Sequence, residues 1–507
     1  MGSEPGLTDL PVITIQHDFP EVISDIKNEV CLAEDIWISC YRSSSSSSNT
    51  TETRRSVHGK VRVSSNVLDH PQQTQHNLND LISLEGRDGV ECRWADDASF
   101  SHLALIVTCE PLSIPPTTVS FPSQTLDRIQ PNGIECMDVA GEWLVTGGKN
   151  GQVRVDRWAT QPADTLAHHD ELLCRIGKGH VSDLTSCQFF PSGKVILTTS
   201  IDMSARIYSI DRVPSDDHEE EDSRTATRKR MTMLNPRTFG PPHGRGVIGA
   251  GIIGKGREIV TGCRDGKLRV WNVGESKVVA EAEMSSSSSA EVLALEVGEK
   301  RFLDRTGEVL TPEADHNRAF FLLLGLSSGA LDFVDLPSLK PIKLRTPLPG
   351  QSGAPIDVVA MSGAMDMIAY GTRTGTVALA TLVWHRSSRS SSSSCCSTTS
   401  SSSSPCETAE DEIESLSVIP IAIWQRTPAA INSLAFSQDD QTLLVAGHDG
   451  LPYRVSLVDA ARPKVLQELA GYNCDPVAAI RSSFSASASH HSVFTAGKDG
   501  SIKIWNL

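Results

Sequence analysis

Two histidines and two aspartates stand at a spacing that could support proton transfer. His180 is followed by Asp202, and His243 is followed by Asp265 at the same interval. A histidine that a carboxylate orients can act as a general base, but the same pair can also be a buried, hydrogen-bonded structural group. Both pairs occur in the same sequence context, which favours the structural interpretation. We therefore expect no catalytic residue here and a protein that is not an enzyme.

Other motifs lack the context that their chemistry needs. Gly249–Gly254 has the glycine spacing of a dinucleotide-binding loop, but the residues after it read as a turn entering a strand rather than a helix. His168-His169 and His490-His491 have no cysteine or carboxylate at ligand spacing, so we expect exposed loop histidines. The sequence thus predicts no cofactor and no metal, although a convergent active site would leave little local trace.

A repeated pattern accounts for both His–Asp pairs. The segment from Gly179 to Tyr208 aligns with the segment from His243 to Trp271, and a third copy contains Asp499 and Trp505. Each copy reads as an apolar strand, a polar turn, a second strand ending in small residues, a hairpin turn and a third strand. Four weaker relatives centre on the turn dipeptides Asn150-Gly151, Ser328-Gly329, Thr374-Gly375 and Asp449-Gly450.

Seven such units predict an all-β fold, a seven-bladed β-propeller over residues 116–507. Insertions at 216–230, 285–289, 298–318 and 387–404 explain the irregular spacing, and we expect them to be disordered loops. The last unit stops after its third strand, so its outer strand should come from upstream, within 117–129. Residues 1–115 fit no repeat, and their short β-type runs predict a smaller β-rich or α+β domain.

These repeats resemble the WD-repeat family, whose signature is Gly-His, a Ser/Thr-x-Asp turn and a Trp about six residues later. The resemblance implies that His180 with Asp202, and His243 with Asp265 and Trp271, form a buried network joining the strands of a blade. Asp499 and Trp505 take the same places in the last copy. There are departures from the signature, because Tyr208 replaces Trp and Cys263 falls where Ser200 aligns. The fourth to sixth units keep almost none of the polar set and must rely on packing.

Within that family, one subfamily is similar over the second and third units. The runs 235–239, 243–248 and 252–257, together with 189–193, resemble the proteasomal ATPase-associated factors. The resemblance implies a chaperone for assembly of the proteasome regulatory-particle base, which binds the C-terminal domain of an ATPase subunit. A substrate adaptor of a ubiquitin ligase and a ribosome-assembly factor stay open on the same fold. A propeller enzyme is a remote alternative, which would need perturbed titratable groups in the central channel.

A protein-binding function directs attention to the residues directly before the hairpin turns. We expect these residues to surround the central opening on one face, where they are candidate contacts for a partner: Lys149, Ile201, Arg264, His448 and Lys498.

The charge balance indicates the class of partner. The chain has 46 Lys and Arg against 62 Asp and Glu, a net charge of −16, which repels nucleic acid and anionic lipid and attracts a basic protein surface. The longest apolar stretch, Phe320–Leu326, is too short to cross a bilayer, and a secretory signal pattern is missing. The 12 scattered cysteines predict no structural disulfide. We expect a cytoplasmic protein, with the nucleus left open, that is monomeric before it binds its partner.

Overall fold

The computed structural model describes most of the chain. The described residues are 5–43, 54–66, 78–99, 101–158, 174–210, 230–240, 243–283, 290–300, 302–303, 309–310, 320–336, 338–345, 353–363, 366–386, 414–485 and 490–506. The predicted insertions at 285–289 and 387–404 lie outside these residues, as do most of 216–230 and of 298–318. His168 and His169 also lie outside them.

Strands dominate the N-terminal part, which also contains one helix of more than two turns. In chain order its elements are β1 (Leu7–Asp9), β2 (Val12–Ile15), α1 (Phe19–Lys27), β3 (Ala33–Ser43), β4 (Arg54–Ser65), α2 (Leu78–Leu81), β5 (Ile82–Gly86), β6 (Glu91–Trp94), β7 (Ala104–Cys109) and β8 (Ile114–Ser120). Strands β2 to β5 form an antiparallel sheet in chain order.

Helix α1 covers one face of that sheet. Pro20 stands in its first turn, where no intrahelical N–H bond is lost, and Lys27 lies in the last turn, near the negative end of the helix dipole. Its buried residues Phe19, Val22, Ile23 and Ile26 recur at helical spacing and form one apolar stripe. This stripe joins the buried side chains of β3, such as Ile36, in a single core cluster.

The remaining described strands form seven larger sheets, numbered here along the chain, and one separate two-stranded hairpin. After β9 (Gln124–Leu126), sheet 1 contains β10 (Ile134–Ala140), β11 (Trp143–Gly148), β12 (Val153–Arg157) and β13 (Cys174–Gly177). Sheet 2 contains β14 (Leu184–Phe189), β15 (Val195–Ser200), β16 (Ala205–Ser209) and β18 (Leu234–Phe239). Between β16 and β18 the chain forms β17 (Arg230–Thr232), which pairs with sheet 1. Sheet 3 contains β19 (Val247–Ile253), β20 (Glu258–Cys263), β21 (Lys267–Asn272) and β22 (Lys277–Glu283).

The later sheets continue in the same order. Sheet 4 contains β23 (Val292–Glu299) and, after the hairpin β24 (Phe302–Leu303) and β25 (Val309–Leu310), β26 (Phe320–Leu326) and β27 (Leu331–Leu336). Sheet 5 contains β28 (Lys343–Leu344), β29 (Ile356–Met361), β30 (Met367–Thr372), β31 (Thr376–Arg386) and β32 (Glu414–Gln425). Sheet 6 contains β33 (Ile431–Phe436), β34 (Thr442–Gly447), β35 (Tyr453–Ser456) and β36 (Lys464–Leu469), and sheet 7 contains β37 (Val477–Ser485), β38 (His490–Gly497) and β39 (Ile502–Asn506).

The seven sheets share two local features. In each, the ladder between the first two main strands slips by one residue after its first pair, as between Ile134 and Cys136 in sheet 1. In each, the second residue of the next hairpin turn has a positive φ, from 66° at Met203 to 85° at Gly375. Six of these residues are glycine, which adopts this conformation without steric cost. All seven turns lie at the dipeptides that the sequence pattern indicates.

The innermost strands pack in succession. The innermost strand of each sheet contacts that of the next, from β10 through β14, β19, β23, β29 and β33 to β37, and β37 contacts β10. The ladders place the start of each of these strands opposite the end of its neighbour, next to the turn. The fold is therefore nearly all β and is consistent with a propeller, and we call the end that carries the seven turns the turn side.

The N-terminal segment adds strands to the outer edges of three sheets. Strand β1 pairs in parallel with β32 of sheet 5, and β8 pairs in parallel with β36 of sheet 6. Strands β7 and β6 follow β8 and extend sheet 6. Strand β9 pairs antiparallel with β39 of sheet 7 and lies within the segment 117–129 that the sequence analysis assigned to this position. The domain boundary expected near residue 115 falls inside β8, so no linker separates the two parts there.

Removing the side chain of Leu126 should destabilise the protein. Leu126 is buried and packs with Phe494, Ile502 and Ile504 of sheet 7, so Leu126→Ala should cost about 2–5 kcal/mol of unfolding free energy. Gln124→Ala, in the same strand but exposed, should change it by less than about 0.5 kcal/mol. Urea unfolding followed by intrinsic fluorescence measures both, and equal midpoints for the two variants would show that β9 does not hold sheet 7.

Candidate protein-binding face and central cavity

In sheet 2, a hydrogen-bonded network joins His180 to the turn. The His180 ring is bonded through Nδ1 to Asp202 Oδ2 at 2.8 Å and through Nε2 to Thr198 Oγ1 at 2.9 Å. Asp202 also accepts from the Val181 and Ser204 amides. Burial alone would raise the pKa of Asp202, but the hydrogen bonds from His180 and Ser204 outweigh it and hold this pKa well below its usual range. The arrangement fixes the loop to the turn and uses every polar atom of the pair.

In sheet 3, the corresponding residues are arranged differently. Arg269 donates to Asp265 Oδ2 at 2.8 Å and to His243 Nδ1 at 3.3 Å, so it stands between the histidine and the aspartate. A guanidinium only donates, so His243 Nδ1 is an acceptor and Nε2 carries the proton. Nε2 is buried and has no partner among the described residues, and the Thr261 hydroxyl accepts instead from Trp271 Nε1 at 2.9 Å. The expected direct His243–Asp265 bond is therefore replaced by a bridge through Arg269.

These contacts leave His243 neutral and Asp265 negatively charged. Burial and the neighbouring Arg269 lower the pKa of His243 to about 4, so the ring is neutral. Burial opposes the charge of Asp265 too, but the hydrogen bonds from Arg269 and Gly244 outweigh it and lower the pKa of Asp265 to about 2. A neutral buried histidine next to an arginine-bound carboxylate is a structural arrangement, with no base free to accept a proton from outside.

Sheet 7 uses the predicted Asp499 and Trp505 without a histidine. Asp499 accepts from the amide and the hydroxyl of Ser501, both at 2.9 Å, and so shapes its own turn. Tyr472 takes the place of the histidine, with its hydroxyl 2.5 Å from Thr495 Oγ1. The buried Trp505 indole donates to the carbonyl of Ser120 at 3.2 Å, which ties the last sheet to β8.

Two units with weak sequence patterns also contain polar contacts, which the sequence analysis missed. In sheet 1, buried Gln130 donates to Thr146 Oγ1 at 3.2 Å. Between sheets 5 and 6, Trp424 Nε1 of β32 donates to the hydroxyl of Tyr453 of β35 at 3.1 Å. The sixth unit therefore does not rely on packing alone. Glutamine and tyrosine can serve because the site requires only a hydrogen-bonding group of suitable reach, which no fixed motif reports.

The five candidate rim residues occupy equivalent places on the turn side. The backbone amide of Ile201 donates to Asp183 O at 3.1 Å, and Arg264, His448 and Lys498 each make the same bond to the residue before the innermost strand of their own sheet. Ser327 and Arg373 make this bond as well. Ser327 and Arg373 therefore belong to the rim, although the prediction from sequence did not include them. They stand directly before Ser328-Gly329 and Thr374-Gly375, as the five predicted residues stand before their own turns.

The rim is rich in cations. Lys149 and Lys498 both pair with Glu135, and Arg373 pairs with Asp357 at 2.7 Å. Arg264 is exposed at the next turn along. The net charge of −16 is therefore not concentrated at these positions, and the expected attraction of a basic partner cannot come from the five candidate residues.

Exposed apolar side chains lie on the turn side of sheet 2. Val181 is 83% exposed and Met203 is 47% exposed, and both flank Asp202. The loop at Gly246 packs against Ile201, and its carbonyl accepts from the Arg264 amide at 2.9 Å. We call Val181, Ile201, Met203 and Arg264 the sheet 2–3 corner. Of these residue types, methionine and arginine are enriched at protein–protein interfaces.

A central cavity of about 590 Å³ is lined by the innermost strands of all seven sheets. It contains three charged side chains in its middle part, Asp138, Glu296 and Arg481, with Arg481 Nε 3.7 Å from Asp138. Burial raises the pKa of Glu296 to about 7 and also raises the pKa of Asp138. Perturbed carboxyl groups are thus present where a propeller enzyme would need them, but the described lining contains no histidine.

The structure locates the remaining motifs in ordinary elements. Gly249 and Gly251 lie inside β19, and the chain turns at Gly254 into β20 rather than into a helix. No group of three or more His, Cys, Asp or Glu that could hold a metal occurs in the described part of the chain. None of its helices is long and apolar enough to cross a membrane. None of the nine cysteines that the structure describes forms a disulfide bond.

The comparison with known families agrees with this geometry. The family model described as "WD domain, G-beta repeat" matches residues 172–209, 238–272, 420–451 and 463–506. The first match runs from β13, the outer strand of sheet 1, through β16, so one repeat joins two neighbouring sheets. These four matches indicate a WD-repeat protein. A search of curated proteins found no significant match.

The buried, neutral His243 should make stability depend on pH. The pKa of His243 is about 4 in the folded chain and 6.5 for the free side chain. Between pH 6.5 and pH 4, His243 is therefore protonated in the unfolded chain but not in the folded chain. Lowering the pH from 7 to 4 should therefore cost wild type about 3 kcal/mol that His243→Gln does not lose. Thermal unfolding across this range measures the difference between the two proteins. Exposed His448→Gln is the control, and a difference no larger than its own would contradict the assignment.

Glu296 should have the opposite dependence. Its folded pKa of about 7 exceeds the 4.5 of a free glutamate side chain, so the folded chain keeps a proton that the unfolded chain releases, and stability falls as the pH rises through 7. Glu296→Gln should therefore raise the unfolding temperature at pH 8 more than at pH 5. Glu299→Gln, exposed in the same strand, should show no such difference. A pH-independent effect of Glu296→Gln would mean that the cavity carboxyl is solvated.

Proposed function

We propose that the chain is a seven-bladed WD-repeat propeller that acts as a protein-binding scaffold and not as an enzyme. Support for the closed ring comes from the cyclic packing of the innermost strands and from the seven equivalent turns. The single observation that carries the binding function is the sheet 2–3 corner, where Val181 and Met203 are exposed on either side of Asp202 and Arg264 is exposed at the next turn along. Methionine and arginine are both enriched at protein–protein interfaces.

We further propose that the partner is the C-terminal domain of a proteasomal ATPase subunit, and that the protein is a chaperone for assembly of the regulatory-particle base. Support comes from the resemblance in sequence, which is specific over sheets 2 and 3. Phe189 to Gly193 lead from β14 to β15, and Asn235 to Phe239 lie in β18. The protein would bind the subunit as a monomer, in the cytoplasm or the nucleus, and leave once the base is mature.

The charge distribution bears on how that partner is held. A basic partner surface would meet the cations Lys149, Arg264, Arg373 and Lys498 at the rim, so charge attraction would have to act elsewhere on the molecule. At the corner, burial of apolar surface is the stronger source of affinity. A ubiquitin-ligase adaptor or a ribosome-assembly factor would use the same fold, and the partner that is recovered decides among them.

The test is affinity purification from native lysate followed by mass spectrometry. Wild type should recover free proteasomal ATPase subunits and base precursors, with little mature proteasome. The double variant Val181→Asp with Met203→Asp should lose them, because two charges would be buried in the contact. Val458→Asp is the matched control, since Val458 is 81% exposed and lies outside the corner.

Each outcome decides one part of the proposal. Recovery of cullin or ribosomal precursors without an ATPase subunit would reject the chaperone role and keep the scaffold. Equal recovery by the double variant and by Val458→Asp would reject the corner as the binding surface.

A further inference from the structure

A groove of about 850 Å³ lies between the N-terminal sheet and the turn side of sheets 6 and 7. Its floor is the outer face of β3, which presents Asp35, Trp37, Ser39 and Tyr41, while the alternate residues of β3 face the core. The opposite wall contains the turn at Gly450 and the loop from Ala470 to Cys474. The groove lies apart from both the sheet 2–3 corner and the central cavity.

Strand β2 runs along this groove as an edge strand, and only part of its edge is occupied. It is the first strand of the N-terminal sheet and pairs with β3 alone. The Gln16 amide donates to the Trp37 carbonyl, so in this register Thr14 and Val12 also bond to β3. The N–H and C=O groups of Ile13 and Ile15 therefore point away from β3, towards the groove.

The first of these outward groups are satisfied by side chains of the repeat region. Glu468 Oε1 accepts from the Ile13 amide at 3.2 Å, and Arg426 Nε donates to the Pro11 carbonyl at 2.9 Å. Arg426 and Glu468 form a buried ion pair with each other. The carbonyl of Ile13 and both backbone groups of Ile15 have no partner among the described residues. They leave a short length of strand edge open, which is a template for an added strand.

The charges around the groove select for a basic occupant. Its described lining includes the carboxylates Asp18, Asp35 and Glu468 but no lysine or arginine. Glu468 and Asp35 are paired with Arg426 and Arg62, whereas a buried oxygen of Asp18 has no hydrogen-bond partner among the described residues. Trp37 is 50% exposed on the floor and offers apolar area, with Lys60 covering part of its ring. An extended chain with cationic side chains would pair with the open backbone groups of Ile13 and Ile15 and would supply a cation to Asp18.

We propose that this groove binds an extended, basic segment of a partner protein, which adds as a strand to the free edge of β2, with a cationic side chain at Asp18 and an apolar one on Trp37. The backbone supplies the pairing and the side chains supply the selectivity, as in other cases of strand addition. This site does not depend on whether the partner of the sheet 2–3 corner is a proteasomal ATPase.

The experiment measures fluorescence anisotropy of short labelled peptides with the full chain. The first peptide alternates lysine and valine, and the second has glutamate in place of each lysine. Two further peptides have the Lys–Val sequence with N-methylated backbone amides, one at the valines and the other at the lysines. The Lys–Val peptide should bind, the Glu–Val peptide should not, and one of the two N-methylated peptides should lose about tenfold or more because its donors face β2.

Protein variants locate the site. Asp18→Asn and Trp37→Ala should each weaken binding of the Lys–Val peptide by about tenfold. Asp96→Asn and Val30→Ala are matched controls, because both residues are exposed and lie outside the groove, and they should have no effect. Val181→Asp with Met203→Asp should also leave peptide binding unchanged, which separates this site from the corner.

Three results would overturn the proposal. One is no binding of the Lys–Val peptide up to about 1 mM. Another is binding that Asp18→Asn and Trp37→Ala leave unchanged, or that neither N-methylated peptide weakens. The third is that the Lys–Val peptide binds only to a variant in which Arg224, Arg228 and Lys229 are replaced by serine. The groove of wild type would then be occupied by this chain's own basic segment.

Discussion

The antiparallel pairing of β9 with β39 is the constraint on which the arrangement of the sheets depends. It brings Ser123 and Ile504 together although 381 positions separate them, and it supplies the outer strand that sheet 7 lacks. Without it, sheet 7 would end in an unpaired edge, which is a site for wrong pairing. Loop closure over such a distance is entropically costly, and the apolar contacts of Leu126 help to offset that cost.

Strands that precede sheet 1 cover the outer edges of three sheets: β1 pairs with sheet 5, β8 with sheet 6 and β9 with sheet 7. Because β9 and the paired residues of β8 follow residue 115, the contacts that cross this position are those of β1, β2 and β7. Trp505 adds a hydrogen bond to β8, and the buried pair of Arg426 and Glu468 holds the start of β2. Removing either partner of a buried ion pair leaves an uncompensated charge, so Arg426 and Glu468 hold the start of β2 only as a pair.

The sequence predicts what depends on local backbone chemistry. Glycine after an Asp, Asn, Ser or Thr marks six of the seven turns, because the turn needs a positive φ, and the strands around them follow from alternation. Edge additions such as β1 and β8 could not be predicted, since they use backbone groups and leave no side-chain pattern. The contact between His243 and Arg269 was missed for another reason. Arg269 lies four residues after Asp265, at a strand position for which the motif specifies no charged residue. Its guanidinium binds both carboxylate oxygens of Asp265, so the aspartate pairs with Arg269 instead of His243.

Net charge gives no information about where the charges lie on the surface of the protein. Cations ring the turn side, where Lys149 and Lys498 share Glu135, while the groove beside β2 has carboxylates and no described cation in its lining. The turn at Gly450 lines that groove, so both surfaces lie at the turn side of their sheets. A partner that reached from the sheet 2–3 corner to the groove would make its second contact at high effective concentration. Weak contacts at each surface would then suffice for a stable complex, and each could still be released separately.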